Sequence, residues 1–459
     1  MHSTKRQAAT LAVAIGLCLG VENADAAARI GPHLSNSLSS ALPTQQFEVV
    51  ISFAQTAPLN DAQRAALKSL GLNRGLTFHA LPIAGGLATP AVIQRLAQRN
   101  DVLSVVANRE LRYYNADARQ QSGVDRLQAD STLGYTGRGV SVMINDSGID
   151  ANHGDLAYGE RVVENVQALT NLNSLFSFMP VSYLEGQLNT DISSGHGTHC
   201  AGTVGGSGAQ SNGVQRGVAP NADLIGYGSG AVVSILDALG GFDYAIAHRD
   251  DFAAPIKVIS NSWGTSGDFE PSDPVNIASY AAYTQGIVSV FAAGNDGPSN
   301  DTHNPYAQAP WVISVGAANK DRSLADFSSR GNPGESASFS MPDGSQWTYV
   351  NQPTLVATGV DIVSTRALTG ALPLLASSQD LSLGIAQFPY YTHMSGTSMS
   401  TPHVAGIAAL MFEANPGLQP DEVKAILSAS ADAMPGRSPH EVGAGHVDAF
   451  EAVSIARGL

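Results

Sequence analysis

Three residues of this chain have the types needed for nucleophilic attack on a carbonyl carbon, each in a setting of small residues: Asp146, His196 and Ser398. A serine hydroxyl is a poor nucleophile until a base removes its proton. A histidine titrates near neutral pH, so it can take that proton and return it. An aspartate beside the imidazole fixes its tautomer and stabilises the imidazolium. Ser398 sits in Gly396-Thr397-Ser398-Met399-Ser400-Thr401-Pro402-His403, ahead of an apolar run with Val404, Ile407, Ala408 and Met411 at helical spacing. The spacing predicts a helix over 401–413, with Ser398 at its mouth. Unpaired N–H groups there suit a developing oxyanion. Capping alone explains a Ser/Thr cluster before a helix, so the partners decide. His196 lies in Gly195-His196-Gly197-Thr198-His199-Cys200. Two histidines at i, i+3 can also ligate a metal, but the glutamate of an H-E-x-x-H site is absent. Asn295, in Ala292-Ala293-Gly294-Asn295-Asp296-Gly297, reads alone as turn chemistry. Beside a triad, its amide is a natural second donor with the Ser398 N–H for an oxyanion hole. The order Asp, His, Ser is one known for such triads.

The elements that must position these residues read as strands alternating with helices. Strands are expected at 140–145, 223–227, 256–260, 287–293, 311–316 and 355–358, and helices at 198–205, 234–248, 275–283, 401–413, 420–429 and 448–457. This pattern predicts an α/β fold: a doubly wound, mostly parallel sheet with helices on both faces and the working residues at the C-terminal strand ends. Asp146 stands at such an end. A small α+β unit precedes it. Phe47, Val49, Ile51 and Phe53 alternate as in a strand, Asn60 with Gln63 forms a capping box and Gly71 a helix stop, Thr89-Pro90 opens a second helix, and 102–107 is a strand. Residues 28–45 and 115–135 read as linkers.

The chain has 459 residues, 14% charged, and a net charge of −15. That acidity excludes the basic footprint of a nucleic-acid-binding protein. Residues 1–26 read as a secretory signal: His2, Lys5 and Arg6, then an apolar core from Leu11 to Val21, then Ala24-Asp25-Ala26 as cleavage site. No later run is long enough to anchor the chain in a membrane. With Cys18 removed in the signal, Cys200 is the one thiol left, so no disulfide framework exists. The expected division is a signal at 1–26, an accessory unit at 27–116 and a catalytic unit at 117–459, exported and monomeric.

The motifs resemble those of the subtilisin-like serine proteases, the subtilase family of the peptidase S8 type. Asp146-Ser147-Gly148, Gly195-His196-Gly197-Thr198-His199 and Gly396 to Gly406 match the aspartate, histidine and serine motifs, with Gly217-Val218-Ala219-Pro220, Val258 to Gly264 and Ala293-Gly294-Asn295 in order between them. The resemblance spans about residues 120–459, and 46–114 are similar to the inhibitor-type propeptide. It implies a zymogen whose triad is Asp146, His196 and Ser398, with Asn295 as oxyanion donor. It implies that Ser262, Trp263 and Gly264 form the edge on which a peptide substrate adds a strand. Ala292, Ala293 and Gly294 would line an uncharged slot for the residue before the scissile bond, hence broad apolar or aromatic preference. No cofactor is needed for the chemistry, and structural calcium is common in the family. The partners implied are protein or peptide substrates and the chain's own propeptide, clipped between Tyr113 and Gln121 by Ser398. Departures are Asn145 before the aspartate, Trp263 where a smaller residue is usual and would narrow a subsite, and prolines missing after His153 and Thr358. Loops at 331–352 and 368–391 look long. The Cys200 thiol, next to His199, implies sensitivity to mercurials. Two other readings remain. An esterase of the α/β-hydrolase kind needs Gly-x-Ser-x-Gly with acid and histidine after the serine, whereas residue 400 is Ser and both partners precede Ser398. A catalytically silent binding protein on the same fold would keep the motifs without turnover.

Overall fold

The computed structural model describes residues 29–108, 112–113, 119, 121–228, 233–368 and 378–459. The signal-like residues 1–26 with Cys18 lie outside the described residues, as do 114–118.

Strand Ser141–Asp146 is buried throughout, because its alternate side chains enter two different cores. Val142 and Ile144 face helices His196–Gly205 and Thr397–Ala414, whereas Met143 faces helices Ile235–Ala247 and Pro274–Thr284. The strand is central to an eight-stranded sheet. Its order is Tyr183–Leu184, Val162–Ala168, Asp223–Gly228, Ser141–Asp146, Ile256–Asn261, Val288–Ala292, Ile313–Ala318, Leu355–Thr358. Only Tyr183–Leu184 runs antiparallel to its neighbour; the other pairings are parallel. This is the doubly wound α/β architecture expected, and it brings the C-terminal ends of Ser141–Asp146 and Ile256–Asn261 side by side.

The first unit folds as read, with additions. Gln63 N–H donates to Asn60 Oδ1 at 2.9 Å and Asn60 N–H to Gln63 Oε1 at 3.1 Å, so the capping box forms. Gly71 closes that helix at φ 107°. The sheet order is Arg29–Ile30, Val102–Ala107, Phe47–Phe53, Ile83–Ala88, Gly75–Thr77. A sixth strand, Phe178–Pro180, comes from the large unit and pairs parallel with Gly75–Thr77. Val50, Leu76 and Val106 pack into the same core as Leu236 and Ile277, so this sheet lies on the two helices of the large unit's second face.

Several local expectations need correction. The 28–45 stretch is not a linker: Arg29–Ile30 is a strand, and Pro32–Leu38 is a helix started by its proline and held by the fully buried Leu34. Within 115–135, Val124–Ala129 is helical, with Val124 and Leu127 buried. Val162–Ala168 is a sheet strand whose polar Asn165 hid it; Asn165 is buried and donates to the Ile149 carbonyl at 3.0 Å. The stretch 331–352 is largely a hairpin, Ser336–Ser340 with Gln346–Val350, turned at Gly344 with φ 85°. The serine helix begins at Thr397, not 401. The apolar spacing that predicts the helix starts only at Val404, and Pro402 lacks the N–H that would bond the Ser398 carbonyl. That carbonyl instead accepts from Ser262 Oγ at 2.7 Å, so the helix runs through the proline without an orphaned acceptor.

Candidate active site

The start of helix His196–Gly205 lies against the turn after Asp146 because Gly197 has no side chain. A Cβ on Gly197 would overlap the Gly148 carbonyl oxygen. The approach brings His196 Nδ1 to 2.7 Å from Asp146 Oδ1, and the same oxygen accepts the Ser147 N–H at 2.7 Å. Both side chains are buried. Burial, the largest single influence, lowers the imidazole pKa; the Asp146 carboxylate and, after it, Cys200 beside the ring together raise it well above the ordinary value.

Ser398 is the second residue of helix Thr397–Ala414 and is fully buried. Its hydroxyl donates to the Ser262 carbonyl at 2.6 Å, while Ser262 Oγ donates to the Ser398 carbonyl at 2.7 Å. This reciprocal pair ties the helix start to the end of strand Ile256–Asn261. Cys200 Sγ stands 3.7 Å from His196 Nδ1, from Asp146 Oδ2 and from the Ser398 carbonyl oxygen, so it touches all three residues. Burial pushes its thiol up to about 11, which leaves it neutral at neutral pH. The Asp146, His196 and Cys200 ligand atoms lie within 4.8 Å of one another, the one such trio that could hold a metal ion among the described residues. A mercurial on Cys200 has no room without displacing His196 or Asp146. Complete labelling should abolish hydrolysis; full activity in the labelled protein would remove that expectation.

Asn295 is held by its oxygen: Oδ1 accepts the Thr397 N–H at 2.9 Å and the Thr397 hydroxyl at 3.0 Å. Its amide nitrogen is thereby turned away from Thr397. The Gly294 N–H donates to Thr397 Oγ1 at 3.2 Å, which joins the Ala292 to Asn295 turn to the serine helix. Ala292 and Ala293 are buried and uncharged. The His199 imidazole, one turn beyond His196, has the opposite fate. Burial, then repulsion from His196, lowers it to about 3, and Nε2 reaches the Ile362 and Thr392 carbonyls at 3.3 and 3.2 Å. It anchors the hairpin Ile362–Thr365 with Tyr391–Met394, which leads into Ser398.

Two readings of single residues change. The Trp263 ring does not narrow a subsite. It is fully buried, packed edge-on to Phe291 at 5.2 Å, and its Nε1 donates to the Asn145 carbonyl at 2.7 Å. Asn145 in turn donates to Asn261 Oδ1 at 3.0 Å and the Ala238 carbonyl at 3.0 Å. The two unusual residues therefore form one polar-aromatic support beneath Asp146. Sequence reasoning missed Asp191. Its buried carboxylate accepts from Ser147 Oγ and Gly195 N–H at 3.0 Å each, and from Thr198 N–H and Oγ1 at 3.0 and 2.7 Å. It thus clamps the turn after Asp146 to the start of the His196 helix. An acid five residues ahead of His196 was the only available signal.

A parallel α/β sheet with a buried Asp–His pair at one strand end and a serine at a facing helix start defines a class of hydrolase fold. The sequence profile of the subtilase family, peptidase S8, matches residues 137–445. The chain is 32% identical over 414 residues to the serine protease AprX of Bacillus subtilis (strain 168), covering 86% of this chain and 83% of that one. It is 30% identical over 408 residues to a subtilisin of Bacillus sp. (strain TA39), covering 83% and 80%. The fold resembles fervidolysin from Fervidobacterium pennivorans, a keratinolytic enzyme related to subtilisin, with TM-score 0.64 at 21% identity, over 93% of this chain and 63% of that one. The chain belongs to the subtilase family of subtilisin-like serine proteases, hydrolases whose substrates are proteins. Among the described residues no helix is long and apolar enough to cross a membrane.

Proposed function

We propose that this chain is an exported serine endopeptidase made as a zymogen, which hydrolyses peptide bonds through an acyl-enzyme. Ser398 is its nucleophile, His196 the general base and Asp146 the orienting acid. Asn295 and the Ser398 backbone N–H, one of the N–H groups a helix start leaves without an intrahelical partner, stabilise the oxyanion. The observation that carries this reading is the convergence of four separated segments on one point, the 2.7 Å pair of His196 and Asp146 beside the Ser262–Ser398 exchange. Attack requires the Ser398 hydroxyl to turn from the Ser262 carbonyl toward His196.

Residues 27–116 act as inhibitor and 117–459 as the peptidase unit. What supports this is that Arg112–Tyr113 pair antiparallel with Trp263–Gly264, the edge proposed for substrate. The first unit is also bound by Ser104 Oγ to the Ser272 carbonyl at 2.6 Å, by Asn108 Oδ1 accepting the Leu236 N–H at 3.0 Å, and by Arg29 with Glu270. Ala292, Ala293 and Gly294 favour apolar or aromatic residues before the scissile bond, since no charge is present to recognise a charged one. Structural calcium remains a proposal, testable by the effect of a chelator on thermal stability.

Casein hydrolysis that is lost on treatment with a serine-directed phosphonate distinguishes enzyme from silent binding protein; persistent hydrolysis after full labelling of Ser398 would overturn the assignment. The pH dependence has a definite sign. The base must be neutral, and its pKa is raised, so kcat/KM should rise with pH through a midpoint above 6.5, His196's ordinary value. The same raised pKa contributes stability that is complete below 6.5 and lost as pH climbs through the folded value. A kcat/KM midpoint below 6.5 would contradict the Asp146 contribution.

A further inference from the structure

The stretch 169–192, which leads into the His196 helix, leaves much apolar surface uncovered. Among the described residues, six of the thirteen exposed large apolar side chains lie there: Leu169, Phe176, Met179, Leu184, Leu188 and Ile192. Phe176 is 98% exposed. Soluble proteins rarely leave such a concentration open unless it binds something. The stretch is fastened to the turn after Asp146. The Thr190 N–H donates to the Ile149 carbonyl at 3.0 Å, and the Ala151 N–H to the Leu188 carbonyl at 2.9 Å.

Strand Phe178–Pro180 lies within this stretch, and the first unit shows what the strand accepts. Gly75, Leu76 and Thr77 pair with Phe178, Met179 and Pro180 in parallel register, and the Val181 N–H donates to the Thr77 carbonyl at 2.8 Å. The Phe178 ring packs into the first unit's own core over Gly75, where a Cβ would overlap it. The bound segment is thus extended, apolar at its centre and small where the ring passes. Once the first unit has gone, this edge and the Phe178 ring are bare, beside Phe176 and Met179.

We infer that the mature enzyme uses the edge Phe178–Pro180, with Phe176 and Met179, to hold an extended apolar segment of the protein it digests, away from the bond it cuts. This rests on the zymogen reading above. The segment adds a strand through main-chain hydrogen bonds, as Gly75–Thr77 does, and its apolar side chains cover the exposed ones. Reach sets the substrate class. A tetrapeptide laid along Trp263–Gly264 is spent there, because four extended residues span only about 14 Å. Four strand steps, about 19 Å, separate Phe178–Pro180 from Val102–Ala107, the strand that precedes Arg112–Tyr113 in the chain. A longer, unfolded chain has residues for both edges. The favoured substrates are therefore unfolded proteins with an apolar stretch several residues from the cleaved bond.

The test compares casein with a chromogenic tetrapeptide on purified enzyme from which the first unit has been removed. Phe176→Ser and Met179→Ser, singly and together, should lower the casein-to-tetrapeptide ratio of kcat/KM, about tenfold for the pair, through a higher KM for casein. Leu459→Ser, which replaces an exposed apolar residue elsewhere, should leave that ratio as in wild type. An unchanged ratio in the double variant would overturn the inference. So would elution of the mature enzyme as a dimer that these substitutions dissociate, since a second copy would then cover the edge. If wild type cleaves neither substrate, the peptidase reading itself fails, and this inference with it.

Discussion

Ser398→Ala should lower kcat on a peptide substrate by on the order of 10⁶-fold, equivalent to about 8 kcal/mol of transition-state stabilisation. The covalent path is removed entirely, and what remains is the oxyanion site and binding. KM should change little, because the hydroxyl contacts only the Ser262 carbonyl in the ground state. The substitution also removes one half of the Ser262–Ser398 exchange but leaves Ser262 Oγ bonded to the residue 398 carbonyl, so the helix start keeps its anchor. The precursor should fold, remain unclipped after signal removal and stay inactive. Steady-state kinetics with gel analysis of the purified variant measures both. Residual activity within a hundredfold of wild type would mean that another hydroxyl, Ser395 or Ser400, carries the reaction. Ser400 Oγ is committed to the Ala357 carbonyl at 3.0 Å and Ser395 Oγ serves the Asp361 N–H at 3.1 Å.

Asp146→Asn should lower kcat by about 10⁴-fold at neutral pH. Asp146 Oδ1 accepts from both the Ser147 N–H and His196 Nδ1. An amide in its place brings no charge to stabilise the imidazolium, and in one of its two orientations it donates toward Nδ1 and enforces the wrong tautomer. The pH profile provides a second readout. Without the carboxylate, burial is the main influence left on His196, and burial lowers its pKa. The midpoint of kcat/KM should therefore move down while the maximum falls. An unchanged midpoint with a reduced rate would indicate that the substitution acts by disturbing the local packing, which the Asn145–Trp263 support and the Asp191 clamp otherwise hold in place.

The candidate site's motifs are short local patterns, so its residues could be named from the sequence alone. Asp146, His196, Asn295 and Ser398 each lie in a turn of small residues, and the physical demands of close approach dictate those residue types within a few positions. Readings failed where the cause was distant in the chain. The first turn of the serine helix was missed because its residues are small and polar, and the partner of the Ser398 carbonyl that Pro402 cannot serve, Ser262, lies far away in sequence. Trp263 looked like a cleft residue because nothing local tells that its ring turns inward to Asn145 and Phe291. Val162–Ala168 was overlooked because Asn165 is polar yet buried, and its hydrogen-bond partners come from another loop. Phe178–Pro180 has no strand pattern of its own; it pairs because the edge Gly75–Thr77 is presented to it.

The sequence by itself determined which residue types stand in the motif positions, the alternation of strands and helices, and the acidic character of the chain. Each follows from residue type, local spacing or summed charge. The tertiary structure decided that Ser398 exchanges hydrogen bonds with Ser262, that Cys200 touches Asp146, His196 and the Ser398 backbone, that Asp191 clamps the two loops, and that the first unit runs its chain along Trp263–Gly264. Those are contacts between segments far apart in the chain. They exist only once burial of two apolar faces has brought the strand ends and helix starts together, and no local pattern encodes them.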